Sequence, residues 1–336
     1  MSVSEHAPRY QVGDRKPFRL LDLMLAWESV LVVLLIMVVV VNAWISPYFL
    51  DVFNLSDATV NFSEKAIVAL AMALLILVGD IDLSVAAIIA LASLAMGLAS
   101  VAGVSTPGLV LIGLGVGAVA GAFNGLLVTG IGLPSIVVTI GTMSLYRGIA
   151  QVVLGDQAIT RYPAGLQALG QGTLFEMPPL PWSFAIFLGL ALVIGLVLHR
   201  TTIGRRLYAI GNNAIAARYS GIRVERIRFW LFVLSGLAGG LAAVLLTGRI
   251  GSTRPNIALG WELEIITMVV LGGVSISGGS GSIPGVVLAV FVLGFTTFGM
   301  SLVNVPGIVI NVLLGVLLIA AIAAPLIVRR LVKGNR

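Results

Sequence analysis

The sequence predicts an all-α fold: a polytopic bundle of about ten transmembrane helices with both termini on the cytoplasmic side. Composition, charge placement and span count carry that prediction. Of 336 residues, 59% are hydrophobic and only 10% are charged. A soluble domain carries about 25% charged residues, so these cannot cover a water-facing surface. Mean hydropathy is +1.10. Fifteen of the twenty Lys and Arg fall in three segments. The first holds Arg9, Arg15, Lys16 and Arg19. The second holds Arg200, Arg205, Arg206, Arg218, Arg223, Arg226 and Arg228. The third holds Arg329, Arg330, Lys333 and Arg336. Basic flanks stay in the cytoplasm, which puts both ends and the 200–228 loop inside. Lipid or nucleic-acid binding is the competing reading of such clusters; membrane lipid is expected as a partner and nucleic acid is not.

Apolar stretches near the length a span requires lie at 29–48, 65–79, 84–103, 108–129, 134–154, 183–199, 229–247, 264–280, 283–302 and 305–327. Ten spans return the chain to its starting side, and six precede the 200–228 loop, in agreement with the charges. Residues 1–28 read as a cytoplasmic segment ahead of an uncleaved first helix, since no small-residue cleavage site follows. Residues 29–328 form the membrane domain and 329–336 a cytoplasmic tail. Spans 65–79 and 264–280 are short and flanked by acids. Broken or re-entrant helices, and a total of eight spans, are the alternatives there. The polar, proline-bearing stretch 155–182 reads as an external loop with a short surface helix.

Glycines recur every four residues at Gly113, Gly117, Gly121 and Gly125, and again at Gly236 and Gly240. Small residues let membrane helices approach closely. Packing within the bundle is preferred here over a dedicated dimer face.

Several chemistries are excluded. There is no cysteine, so disulfides, zinc-cysteine sites and thiol catalysis are excluded, and the two histidines, His6 and His199, leave little scope for metal or base chemistry. No Gly-Lys-Ser/Thr occurs and the lysines are only Lys16, Lys65 and Lys333. The chain therefore has no P-loop, no catalytic residue, metal or cofactor is expected, and any ATP binds to a partner.

The remaining polar residues are candidate sites. Asp80, Asp82 and Ser84 stand between the second and third spans. Carboxylates at a membrane are costly unless paired, hydrated or used. Capping of the third span by Asp82, ion coupling, and contact with a partner subunit are the open readings. Asn124 lies in the fourth span, and Thr139, Thr142, Tyr146 and Arg147 in the fifth, which opens at Pro134. Residues 139, 142 and 146 share one helix face, which indicates an interior or a water-lined path. Arg147 either snorkels outward or lines that path. Glu262 and Glu264 enter the eighth span, and Gly272, Gly273, Gly278 and Gly279 belong to a run that ends it. That run reads as a flexible helix break near the cytoplasmic face.

In the 200–228 loop, Asn212 or Asn213 can cap a short helix carrying Ala216 and Ala217, and Gly221, after Ser220, can end it. A short capped helix in a cytoplasmic loop is a docking element or, failing that, a solvated connector.

Gly211, Asn212, Ala216, Ala217, Ser220, Gly221 and Ile222 match a Gly-Asn-x-x-Ala-Ala-x-x-Ser-Gly-Ile pattern, with one extra residue before the alanines. Gly79 to Val85, Asn124-Gly125, Pro134, Thr139, Gly141 to Met143, Arg147-Gly148 and Val270 to Gly281 add further stretches in order. On these, the chain resembles the permease subunits of ribose-type sugar ABC importers over roughly residues 50–325. Asp80 and Ala86 stand where that family usually has glycine. Autoinducer-2 and rhamnose importers have similar permeases. The resemblance implies a bacterial inner-membrane location and a second permease subunit, identical or a sister chain. It also implies two cytoplasmic ATPase subunits, a periplasmic substrate-binding protein, and a coupling role for the 212–221 helix.

Two other classes fit less well. An ion-coupled carrier would place charges near the midplane, where this sequence has almost none. A membrane enzyme would need grouped His, Asp or Glu; only the pairs Asp80/Asp82 and Glu262/Glu264 occur, without histidine.

Overall fold

The computed structural model of the protein describes residues 27–175 and 177–333. The N-terminal basic cluster and the side chains of the C-terminal one lie outside the described residues. The described helices are α1 (Trp27–Ile45), α2 (Val52–Leu77), α3 (Val85–Val101), α4 (Thr106–Thr129), α5 (Ser135–Leu154), α6 (Ala164–Gln171) and α7 (Trp182–Arg200). They continue with α8 (Thr202–Asn212), α9 (Ala214–Tyr219), α10 (Val224–Ile250), α11 (Trp261–Leu271), α12 (Ile283–Leu302) and α13 (Gly307–Lys333). Seven are long and apolar enough to cross a membrane: α1, α2, α4, α5, α7, α10 and α12. The α3 helix and the Gly307–Ala321 part of α13 are shorter apolar helices.

Two predicted spans change shape. The second helix starts at Val52 rather than 65. Asp51 caps it, accepting from the backbone N–H of Phe53 at 3.0 Å and Asn54 at 3.2 Å. Its first turns carry Asn54, Asp57 and Asn61, so a hydropathy reading misses them. The eighth span is cut to eleven residues, α11, between Gly260 (φ 85°) and the Gly272-Gly273 pair, where Gly273 has φ 87°.

Helices α2 and α10 form the interior. From Phe62 to Leu77, α2 is buried at every position but Lys65. The α4 and α10 helices meet backbone to backbone. A Cβ on Gly117 would strike the Gly236 carbonyl, and one on Gly121 would lie 3.0 Å from Gly236 Cα. The two four-residue glycine series thus pack on each other inside one chain, and dispersion replaces the hydrophobic force that lipid removes. The α3 helix lies against α4, α5 and α10.

The periphery is tethered by polar pins. At one end of α1, Trp27 Nε1 donates to the Leu271 carbonyl at 2.7 Å; at the other, Asn42 Nδ2 donates to Phe295 O at 2.9 Å. Phe62, Phe184, Phe291 and Phe295 meet edge-on, with centroids 5.6–6.2 Å apart, and stitch α2, α7 and α12 together. The predicted helix of the 155–182 loop is α6, and it is not merely a surface helix. A Cβ on its Gly170 would strike the backbone at Gly248–Arg249, so α6 sits on the end of α10.

Candidate functional site

The α8–α9 element is built by caps. Thr201 accepts from Ile203 N at 3.2 Å to start α8, and Asn213 accepts from Ala216 N at 2.9 Å to start α9. Gly221 (φ 83°) leads the chain away after the C-cap Ser220. Gly204, Leu207 and Ile210 face inward from α8. Ala217 is buried, whereas Ile215 (66% exposed) and Tyr219 (90%) project outward. These two large residues stand out from the short alanine-rich α9, the arrangement expected of contact anchors. Arg218 pairs with Glu225 across the turn into α10.

This element is seated on the end of α2 and on the glycine-rich loop. Gly279 N donates to Leu77 O at 2.9 Å. Asn212 Nδ2 donates to Tyr208 O at 2.8 Å and approaches Gly279 O at 3.3 Å; the Tyr208 hydroxyl donates to Gly281 O at 2.7 Å. Burial pushes the Tyr208 phenol up, so it remains a donor. Gly211 allows this closeness, since any Cβ there would strike Leu77 O. Gly278 (φ 81°) and Gly279 (φ 77°) have backbones that side-chain-bearing residues rarely adopt. The run does break the helix, which ends at Gly272, and its Gly278–Gly279 part packs as a wedge against Leu77, Gly211 and Asn212. Gly272 and Gly273 lie elsewhere, against Val286 and Trp27.

Just beyond Leu77, Asp80 forms a two-point ion pair with Arg228. Nε reaches Oδ2 and Nη2 reaches Oδ1, both at 2.6 Å, with Asp80 only 2% exposed. Asp82 is fully buried and accepts from Ser84 N (2.9 Å), Ser84 Oγ (2.6 Å) and Ser235 Oγ (3.0 Å). It therefore does not cap α3. Ser84 occupies that position, and Asp82 instead holds the turn before it. Asn124 Nδ2 donates to Ser84 Oγ at 2.8 Å, and the Tyr146 hydroxyl points to Ala120 O (3.1 Å) and Asn124 Oδ1 (3.3 Å). Thr139 bonds Ser135 O at 2.9 Å within α5 and comes within 3.4 Å of Ile81 O, and Thr142 lies one turn on, also buried. The shared face of residues 139, 142 and 146 thus looks into the bundle. One chain of hydrogen bonds joins α10, the α2–α3 junction, α4 and α5, and every member is satisfied, as a buried polar network requires.

Arg147 stands apart from that network. Its Nη1 donates to Pro255 O at 3.0 Å and Ile257 O at 2.7 Å, clamping loop 251–260. The same loop is held by Thr253, whose hydroxyl lies 2.5 Å from both Ser93 Oγ and the Tyr162 hydroxyl. The sequence offered no sign of the Arg228 pairing, because its partner lies 148 residues away. Nor did it mark Ile215 and Tyr219, which look like ordinary apolar residues until α9 turns them outward.

A bundle of apolar helices sealed by glycine contacts, with a capped basic loop wedged under a buried polar network, defines a multi-pass membrane transport subunit. The family described as "Branched-chain amino acid transport system / permease component" matches residues 54–322, and the chain belongs to it. It is similar to the autoinducer 2 import system permease protein LsrD of Photorhabdus laumondii, 35% identical over 302 residues, 88% of this chain and 90% of that one. The same-named protein of Salmonella typhimurium is 34% identical over 303 residues, with the same shares covered. No solved structure matches. The chain is thus an inner-membrane permease subunit of an ABC importer and not an enzyme. A permease of this kind works with ATPase and binding-protein partners.

Proposed function

We propose that two such permease subunits, identical or one a sister chain, form the pore for a sugar or a sugar-like solute such as autoinducer 2. Two ATPase subunits dock below and a periplasmic binding protein delivers the solute from outside. In this reading the chain crosses the membrane ten times, through α1–α5, α7 and α10–α13, and both termini are cytoplasmic. The α8–α9 element is the coupling element, with Asn212, Asn213, Ala216, Ala217, Ser220 and Gly221 shaping it. Ile215 and Tyr219 are its anchors in an ATPase cleft.

One observation carries this reading: the element rests on Leu77 and Gly279, next to the Asp80–Arg228 pair. Displacement of the element pushes on the α2–α3 junction. The network through Asp82, Ser84, Asn124 and Tyr146 passes the push to α4 and α5. Helix α5 borders the solute path, with Thr139, Thr142 and Tyr146 fixing its inner face and Arg147 its outer end. A two-state switch of this kind needs only contacts that differ between the states.

The test is replacement of the exposed Ile215 and Tyr219 by Glu. Copurification of the ATPase and ATP-driven uptake should fall together, while the chain itself stays folded. Wild-type assembly and uptake would refute the docking role.

A further inference from the structure

A cavity of about 730 Å³ lies away from the polar network, between α2, α10, α11, α12 and α13. That volume is within the range of small-molecule sites, about 300–1,000 Å³. Its polar end is lined by Asn61, Lys65, Arg249, Trp261, Glu264 and Asn311. Lys65 Nζ lies 2.7 Å from both Glu264 oxygens and 5.0 Å from the Trp261 ring centre. Arg249 Nε binds the buried Glu64 at 2.7 Å, and its Nη1 binds Asn61 Oδ1 at 3.2 Å. The four charges cancel, so the cavity has no net preference for an ion. What remains is hydrogen-bonding capacity. Among the described residues, Arg249 Nη2, Trp261 Nε1 and the Asn311 amide make no hydrogen bond. The lining also carries the apolar Phe298, Ile310 and Leu314, beside the hydroxyls of Thr297 and Ser301.

Polar groups in a hydrocarbon setting are costly when left without partners. Asn311 is exposed and Arg249 and Trp261 are partly exposed, so their free hydrogens are open to water or a polar guest in the cavity. Donors on a neutral, ion-paired frame, together with apolar side chains and an indole, suit a small uncharged molecule with several hydroxyls and a weakly polar face. We propose that this cavity is a solute-binding subsite for such a molecule within the permease, occupied during passage. The proposal rests on the importer reading and adds a place in the chain where the solute pauses.

The absence of native cysteine makes the test direct. Asn311→Cys faces the cavity. Val316→Cys lies on the same helix, 57% exposed and outside the cavity lining. The full complex, with its ATPase and binding protein, is reconstituted in vesicles. The probe is the water-soluble, membrane-impermeant thiol reagent trimethylammonioethyl methanethiosulfonate. We expect N311C to react at least ten-fold faster than V316C, and uptake of D-ribose or autoinducer 2 to fall as it reacts. Equal, slow rates at both positions would mean a lipid-filled slot and overturn the proposal, as would fast reaction at N311C with undiminished uptake. Failure of the importer reading itself shows separately, as absent ATP-driven uptake by the unreacted complex.

Discussion

At the scale of single residues, the Asp80–Arg228 pair is the most exposed to test. Removing one partner of a buried ion pair strands the other charge and costs about 3–5 kcal/mol. Arg228 is partly open to solvent, with 27% of its side chain accessible, so the lower end, about 3 kcal/mol, is expected for Asp80→Asn. Arg228→Lys keeps the charge but loses the planar fork that engages both oxygens, and a smaller loss is expected. Thermal unfolding of the purified chain, followed by size-exclusion fluorescence, measures both. An unchanged midpoint for D80N would show that the pair is not structural. The sequence marked Asp80 and Asp82 as costly acids but left their use open between capping, coupling and partner contact. Spacing along one chain cannot reveal a partner on a distant helix, and Arg228 read simply as one of seven topology-setting cations. The shared face of Thr139, Thr142 and Tyr146 was legible because helical periodicity alone determines it.

At the scale of elements, the α4–α10 seam makes a sharp prediction. Gly117→Ala puts a methyl group on the Gly236 carbonyl, whereas Gly115→Ala on the same helix meets nothing within 4 Å. G117A should force the helices apart and lower the folded yield and unfolding midpoint. G115A should be neutral or slightly stabilising, since alanine is the better helix former by about 1 kcal/mol. Equal behaviour of the two would contradict the seam. The glycine spacing by itself points to this contact, because four-residue periodicity and the lack of a side chain are both sequence properties. The extent of α2 was not legible. Its first turns are polar, and only the Asp51 cap and the packing around Phe62 show that the helix begins there. The short α11 was half legible, since its flanking acids and glycines signalled a break without giving its length.

At the scale of the whole molecule, the proposed topology puts both ends and the α8–α9 element in the cytosol. Green fluorescent protein fused after Arg336 should fluoresce, and alkaline phosphatase inserted in the 155–182 loop should be active. A dark fusion at the C-terminus would break the ten-span path, which basic flanks and span parity both support. Hydropathy made the membrane class plain because it needs no tertiary information. The cavity that carries the solute proposal was invisible, since its lining comes from five helices spread from α2 to α13. The glycine seam has a last consequence. Where two main chains touch with no room for a methyl group, no sugar can thread between them, so the middle of this protein is a solid keel. In the two-subunit importer proposed above, the conduit runs along its flank and takes its far wall from the neighbouring subunit; a lone copy in a vesicle should then be leak-tight.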